Sequence, residues 1–211
     1  MGQHLKCVGP VGHQRMTKAN NFQRIRELNY LQQAVLAAAL IERMLPNYGL
    51  FSEATGFGDE TTLRSALNVC WEKILLPKSK IDLEKQIEKI EPNVPELADF
   101  DMFGTYPAID AATALLGLMH GLIAQDGSEF VSISKISQAT VARFIEYQLT
   151  VEGEIADNKT VREHPLMQYE IDVLSEMIDY VEQMGRVTSQ SVKSLKQHAI
   201  ADGQTNIGLA L

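Results

Sequence analysis

The stretch Pro107-Ala-Ile-Asp-Ala-Ala-Thr-Ala-Leu-Leu-Gly-Leu-Met-His-Gly-Leu-Ile-Ala124 decides the fold class. Pro107 suits a first helical turn, where its fixed φ helps and its missing N–H is not needed. After it Ala108, Ile109, Ala112, Leu115, Leu116, Leu118, Met119, Leu122 and Ile123 surround the helical wheel. A helix with no continuous polar face sits in the middle of a domain. Asp110 and His120 interrupt the stretch and argue against a bilayer span. The expectation is an all-α protein with this segment as its central, most buried helix.

Upstream, Asn20 or Asn21 caps a first long helix, with Phe22, Ile25, Leu28, Leu31, Val35 and Ala38 along one face and Pro46 as its stop. Asn47 to Gly49 reads as a turn, Leu50 to Ala54 as at most a short helix, and Thr55 to Gly58 as a loop. Asp59 then caps a helix with the stripe Leu63, Leu67, Cys70 and Ile74, flanked by Trp71 and ended by Pro77. Asp82 opens a shorter amphipathic helix, and Pro95 to Asp101 is a helical turn or loop. Downstream, Phe130 to Leu149 and Pro165 to Met184 carry helical periodicity, as does a final helix from about Ser189 to Asp202. Glu152 to His164 is polar and reads as an exposed connection. The apolar tail Asn206-Ile207-Gly208-Leu209 is expected to dock on the body. No segment alternates long enough to demand a sheet, so about seven helices form one bundle-like globule.

The domain is expected over residues 20–211, preceded by an arm over residues 1–19 that is flexible or a start-site extension, with Met16 as an alternative start. A chain of 211 residues with 45% apolar and 22% charged residues is of ordinary globular composition. Its formal charge of −8 disfavours nucleic acid and anionic membranes, although Lys6, Arg15, Lys18, Arg24 and Arg26 make the start of the chain basic. Two cysteines cannot build a disulfide framework: Cys70 falls on a core stripe. Cys7 with His4 and His13 is a conceivable metal set, but its Gly-rich setting favours a flexible arm. The first twenty residues lack the apolar segment of a secretory signal, so a soluble cytoplasmic protein is expected.

Motifs that carry chemistry are fragmentary. Gly56-Phe57-Gly58 precedes a helix as a phosphate loop would, yet a third glycine is missing and Asp59 both repels phosphate and caps the helix. Ser132-Ile133-Ser134-Lys135 has the S-x-x-K spacing without its companion motifs. Glu163-His164 is not a zinc signature, the five histidines show no ligand spacing, and no cofactor motif is visible. The final helix, with Lys193, Lys196 and His198, resembles a recognition helix, but its predecessor carries Glu170, Asp172, Glu176, Asp179 and Glu182, poor neighbours for DNA phosphates.

The remaining candidates are acidic and aromatic: Glu42, Arg43, Tyr48, Asp59, Asp101, Tyr106 and Asp110, with Asp99 nearby in sequence. Asp110, one turn inside an apolar helix, needs a hydrogen bond or an ionic partner such as Arg43. His120 reads as a satisfied core histidine.

Glu42-Arg43-Met44, Pro46-Asn47-Tyr48, Thr55-Gly56-Phe57-Gly58-Asp59, Phe100-Asp101, Gly104 with Tyr106-Pro107-Ala108-Ile109-Asp110-Ala111, and the closing Asn206-Ile207-Gly208 together resemble the YjaG-like family of bacterial proteins. The resemblance spans roughly Phe22 to Leu209. It implies a cytoplasmic bacterial protein with a helical fold and supplies no reaction, since the family is a domain of unknown function. The leading expectation is therefore a non-enzymatic protein acting through protein contacts, with a homodimer as one form. The rival is an enzyme that binds a small molecule or metal with the seven residues above. They separate on whether those side chains converge on an open polar cavity.

Overall fold

Asn20 accepts the Gln23 N–H at 2.9 Å and starts α1 (Asn21–Glu27), but Leu28 is extended and Asn29 restarts the chain as α2 (Tyr30–Thr55) with a reciprocal Asn29–Gln32 capping box. The expected first long helix is thus two, because two asparagines compete to cap it. The computed structural model describes residues 20–211. The arm over residues 1–19, Met16 and the set of Cys7, His4 and His13 lie outside the described residues. Nine α-helices occur among them: α1 and α2, then α3 (Glu60–Leu75), α4 (Glu84–Ile90), α5 (Thr105–Ala124), α6 (Ser128–Glu152), α7 (Asn158–Glu163), α8 (Pro165–Gln183) and α9 (Ser189–Ala199). Short 3-10 turns at Glu91–Asn93 and Leu97–Asp99 join α4 to α5. The expected seven become nine through the split of the first helix and through α7, which buries Val161 inside the segment read as exposed.

α2 does not stop at Pro46. Proline inside a helix removes one ladder bond and crowds the preceding turn, a cost of roughly 3 kcal/mol. Here Met44, Leu45, Asn47, Tyr48 and Phe51 are buried on both sides of it, and that packing outweighs the local penalty. The Arg43 carbonyl, in the same turn, accepts the Asn206 N–H from the tail at 3.1 Å.

α5 packs on α2, α6, α3 and α4, which accounts for a helix apolar and long enough to span a bilayer. The longest unbroken buried run, however, belongs to α2, from Gln33 to Leu45, while α5 leaves Thr113, His120 and Ile123 exposed. His120 is therefore no core histidine. The small residues of α5 admit close approach: a Cβ on Gly121 would lie 2.5 Å from the Phe130 ring of α6. Cys70 is buried and its thiol is pushed up to about 12 by desolvation, which makes it inert packing.

The tail closes the bundle as expected. Thr205, Asn206 and Ile207 are buried, and a tight turn through Gly208 (φ +76°) lets Thr205 N–H reach the Leu209 carbonyl at 2.8 Å.

Candidate functional site

Adjacent residues on a helix diverge by about 100°, so Glu42 and Arg43 face different neighbours. Glu42 points to α3 and α9: it accepts the Trp71 indole N–H at 2.8 Å, pairs with Arg64, and lies 3.4 Å from the Lys196 ammonium. Arg43, only 1% exposed, turns to α8 and the tail. It pairs with Glu170, donates to the Ala199 carbonyl at 2.6 Å, and meets Asp202 at 3.0 Å. Asp202 also accepts the Tyr169 hydroxyl at 2.8 Å. Desolvation outweighs the pull of Arg43 on Glu170 and pushes that carboxyl up to about 7. Burial works to lower Arg43, but Glu170 and Asp202 hold it above its ordinary value. Asn206 fastens the tail beside this pair. Its carboxamide accepts from Asn47 at 2.8 Å and donates to the Ser137 hydroxyl at 3.2 Å.

Tyr48 and Asp59 meet at a third place, around Asn93. The Tyr48 hydroxyl donates to the Asn93 carbonyl at 2.7 Å, and the Asp59 N–H donates to the Asn93 side chain at 2.8 Å. Burial raises the Tyr48 phenol to about 12. The Asp59 carboxylate caps α3 through Thr61 N–H at 2.9 Å, as the sequence implied. Hydrogen bonds from Thr61 and Thr62 hold it below the usual carboxylate range.

A fourth place gathers Tyr106 and Asp110, the former exposed by 37%. Asp110 is half-buried and accepts the Thr140 hydroxyl at 2.7 Å and an Arg143 N–H at 2.9 Å. Its partner is thus Arg143 of α6, not Arg43, whose own helix face turns toward α8. Asp101 is exposed and joins none of these groups.

The seven residues therefore do not converge on one cavity. Among the described residues, no three His, Cys, Asp or Glu side chains are grouped to hold a metal ion.

What the fold does assemble is an aromatic face around the Asp110–Arg143 pair. Phe103, in the turn before α5, stacks on Tyr147 at 4.5 Å between centroids and meets Phe144 at 5.6 Å and Tyr106 at 5.9 Å. The Arg143 guanidinium lies 5.0 Å over the Tyr106 ring. Arg143 and Tyr147 are four apart on α6 and share one face. Tyr147 is 47% exposed, so the stack reaches the surface instead of closing into core. Sequence reading found Tyr106 and Asp110 but missed Phe103, Arg143 and Tyr147, and Phe144 entered only through the helical periodicity of Phe130 to Leu149. The i, i+4 pairing of Arg143 with Tyr147 was the available signal, but nothing local ties it to Phe103 some forty residues earlier.

Comparison with known proteins covers almost the same span. Residues 20–210 match the profile of a family described as "Protein of unknown function (DUF416)". The chain is 33% identical to "Uncharacterized protein YjaG" of Escherichia coli over 187 residues, 88% of this chain and 94% of that protein. It is also 33% identical to an uncharacterized protein of Haemophilus influenzae over 189 residues, 89% and 95% of the two chains. A crystal structure of a DUF416 family protein from Shewanella baltica superposes with a TM-score of 0.84 at 35% identity, covering 92% of this chain and all of that one. The helical fold, the span of the match and the shared sequence agree: the chain belongs to the DUF416 family.

Proposed function

We propose that the protein is a soluble, cytoplasmic binding protein without catalytic machinery, and that it associates with a second copy of itself through the aromatic face on α5 and α6. One observation carries the reading: Phe103, Tyr106, Phe144 and Tyr147 form a connected stack that remains partly open to solvent. Tyrosine and arginine dominate the energetics of protein contacts because they present large rigid area with a polar edge. Arg143 is fixed by Asp110 and by the Tyr106 ring, so little side-chain freedom remains to be lost on association. A face holding both a cation and open π-faces is complementary to itself across a two-fold axis, since the arginine of one copy finds the rings of the other.

Sedimentation velocity across a wide concentration range tests the proposal. The native protein should form dimers at high concentration, and Tyr147→Glu should keep it monomeric without loss of helical content. A native chain that stays monomeric throughout, or a Tyr147→Glu variant that dimerises as well as the native one, overturns it.

A further inference from the structure

A groove of about 730 Å³ runs between α3 and the start of α9, on a different part of the surface from the aromatic face. Its volume lies within the range of small-molecule sites. Leu75, Leu76, Val187 and Val192 give it an apolar wall, and Trp71 lies at its base. Lys193 and Lys196 line it from α9, beside Val192.

The two lysines differ in a useful way. Lys196 is held in place, its ammonium 3.4 Å from the Glu42 carboxylate and 5.0 Å over the Trp71 ring. Lys193 is exposed and forms no ion pair among the described residues. Two carboxylates stand near. Glu42 is already shared among Arg64, Trp71 and Lys196, and Glu72 lies on the exposed rim. The charges named here sum to a positive excess, in a chain whose formal charge is −8. The first turn of α9, at Ser189, also opens onto the groove, and its amide dipoles favour negative charge.

We infer that this groove binds a small amphipathic anion, an apolar chain or ring system carrying one carboxylate or similar group. The apolar body lies along Leu75, Leu76 and Val187 beside the indole, and the anionic end meets Lys193 next to the anchored Lys196. An extended nucleic acid is not the ligand the surroundings favour. The neighbouring α8 brings exposed Glu176 to 3.7 Å from His198 of α9, with exposed Asp172 one turn away, and these carboxylates repel a polyanion but leave room for a single charge in the groove.

Trp71 is the only tryptophan of the chain, so the tryptophan emission comes from a residue that lines this groove. Octanoate, with 1-octanol as its uncharged counterpart, is titrated into the full-length protein by calorimetry and by tryptophan fluorescence. Octanoate should bind saturably at one equivalent and shift the Trp71 emission, and 1-octanol should bind about tenfold more weakly. Lys193→Glu, at an exposed position, should weaken octanoate by about tenfold by reversing one facing charge. Leu76→Ser should weaken both ligands by several-fold. The proposal is overturned if octanoate shows no saturable binding, if the two ligands bind equally, or if binding is untouched by Lys193→Glu. Tyr147→Glu should leave octanoate binding unchanged, so this result stands or falls separately from self-association.

Discussion

Replacing Glu170 by glutamine should reverse part of the pH dependence of stability. Glu170 is 6% exposed, and burial raises its carboxyl from the ordinary 4.5 to about 7 despite the neighbouring Arg43. A carboxyl raised on folding binds its proton more tightly in the native state. Its contribution to stability is full below about 4.5 and is lost as pH rises toward 7. At roughly 1.4 kcal/mol per pH unit, that interval corresponds to about 3 kcal/mol. The glutamine variant lacks this loss, so its stability relative to the native protein should rise by up to about 3 kcal/mol between pH 4 and pH 8. Asp202, the helix-capping Asp59 and Asp157, and Asp126, which accepts from Ser128, are all lowered on folding and push the native curve the other way. The difference between the two proteins, not either curve alone, isolates Glu170. Urea denaturation of both at pH 4, 5, 6, 7 and 8 gives that difference. A flat difference, or a variant that loses ground as pH rises, would show that the attraction of Arg43 exceeds the desolvation of Glu170 and would refute the reasoning.

Asn206→Ala removes a buried carboxamide that joins Asn47 to Ser137. It should lower stability by about 2–3 kcal/mol in urea titration and expose the last residues to carboxypeptidase. Gly58→Ala should be among the more damaging single changes, about 2–3 kcal/mol by denaturant midpoint. Gly58 has φ +72°, and a Cβ there would sit 2.0 Å from the Tyr48 hydroxyl. Asp110→Asn should lower the folding free energy at pH 7 by only about 1 kcal/mol, because its partner Arg143 is more than a third exposed and solvent screens the pair.

The fold class was legible because it rests on local periodicity. The stripes of α3, α5, α6, α8 and α9 each specify a helix within one segment, and Asp59 and Asp82 announce their helix starts with side chains three residues away or less. Local signals failed where packing overrode them. Pro46 reads as a stop, yet the burial of Tyr48 and Phe51 carries α2 through it. Leu28 reads as one more member of a stripe, yet it marks a break.

Partner choice was hidden for a different reason. The sequence required a counter-charge for Asp110, but whether Arg43 or Arg143 supplied it depended on how α2 and α6 are rotated about α5. The aromatic face joins the turn before α5 to the middle of α6, and the groove joins α3 to α9. Neither is a property of any one segment. Hydrophobic periodicity alone determined that this chain is a bundle of helices, because each helix is specified by neighbours three and four residues away. Only the tertiary structure decided which charges pair, which rings stack at the surface and where a groove opens, because those depend on the relative rotation of helices distant in sequence.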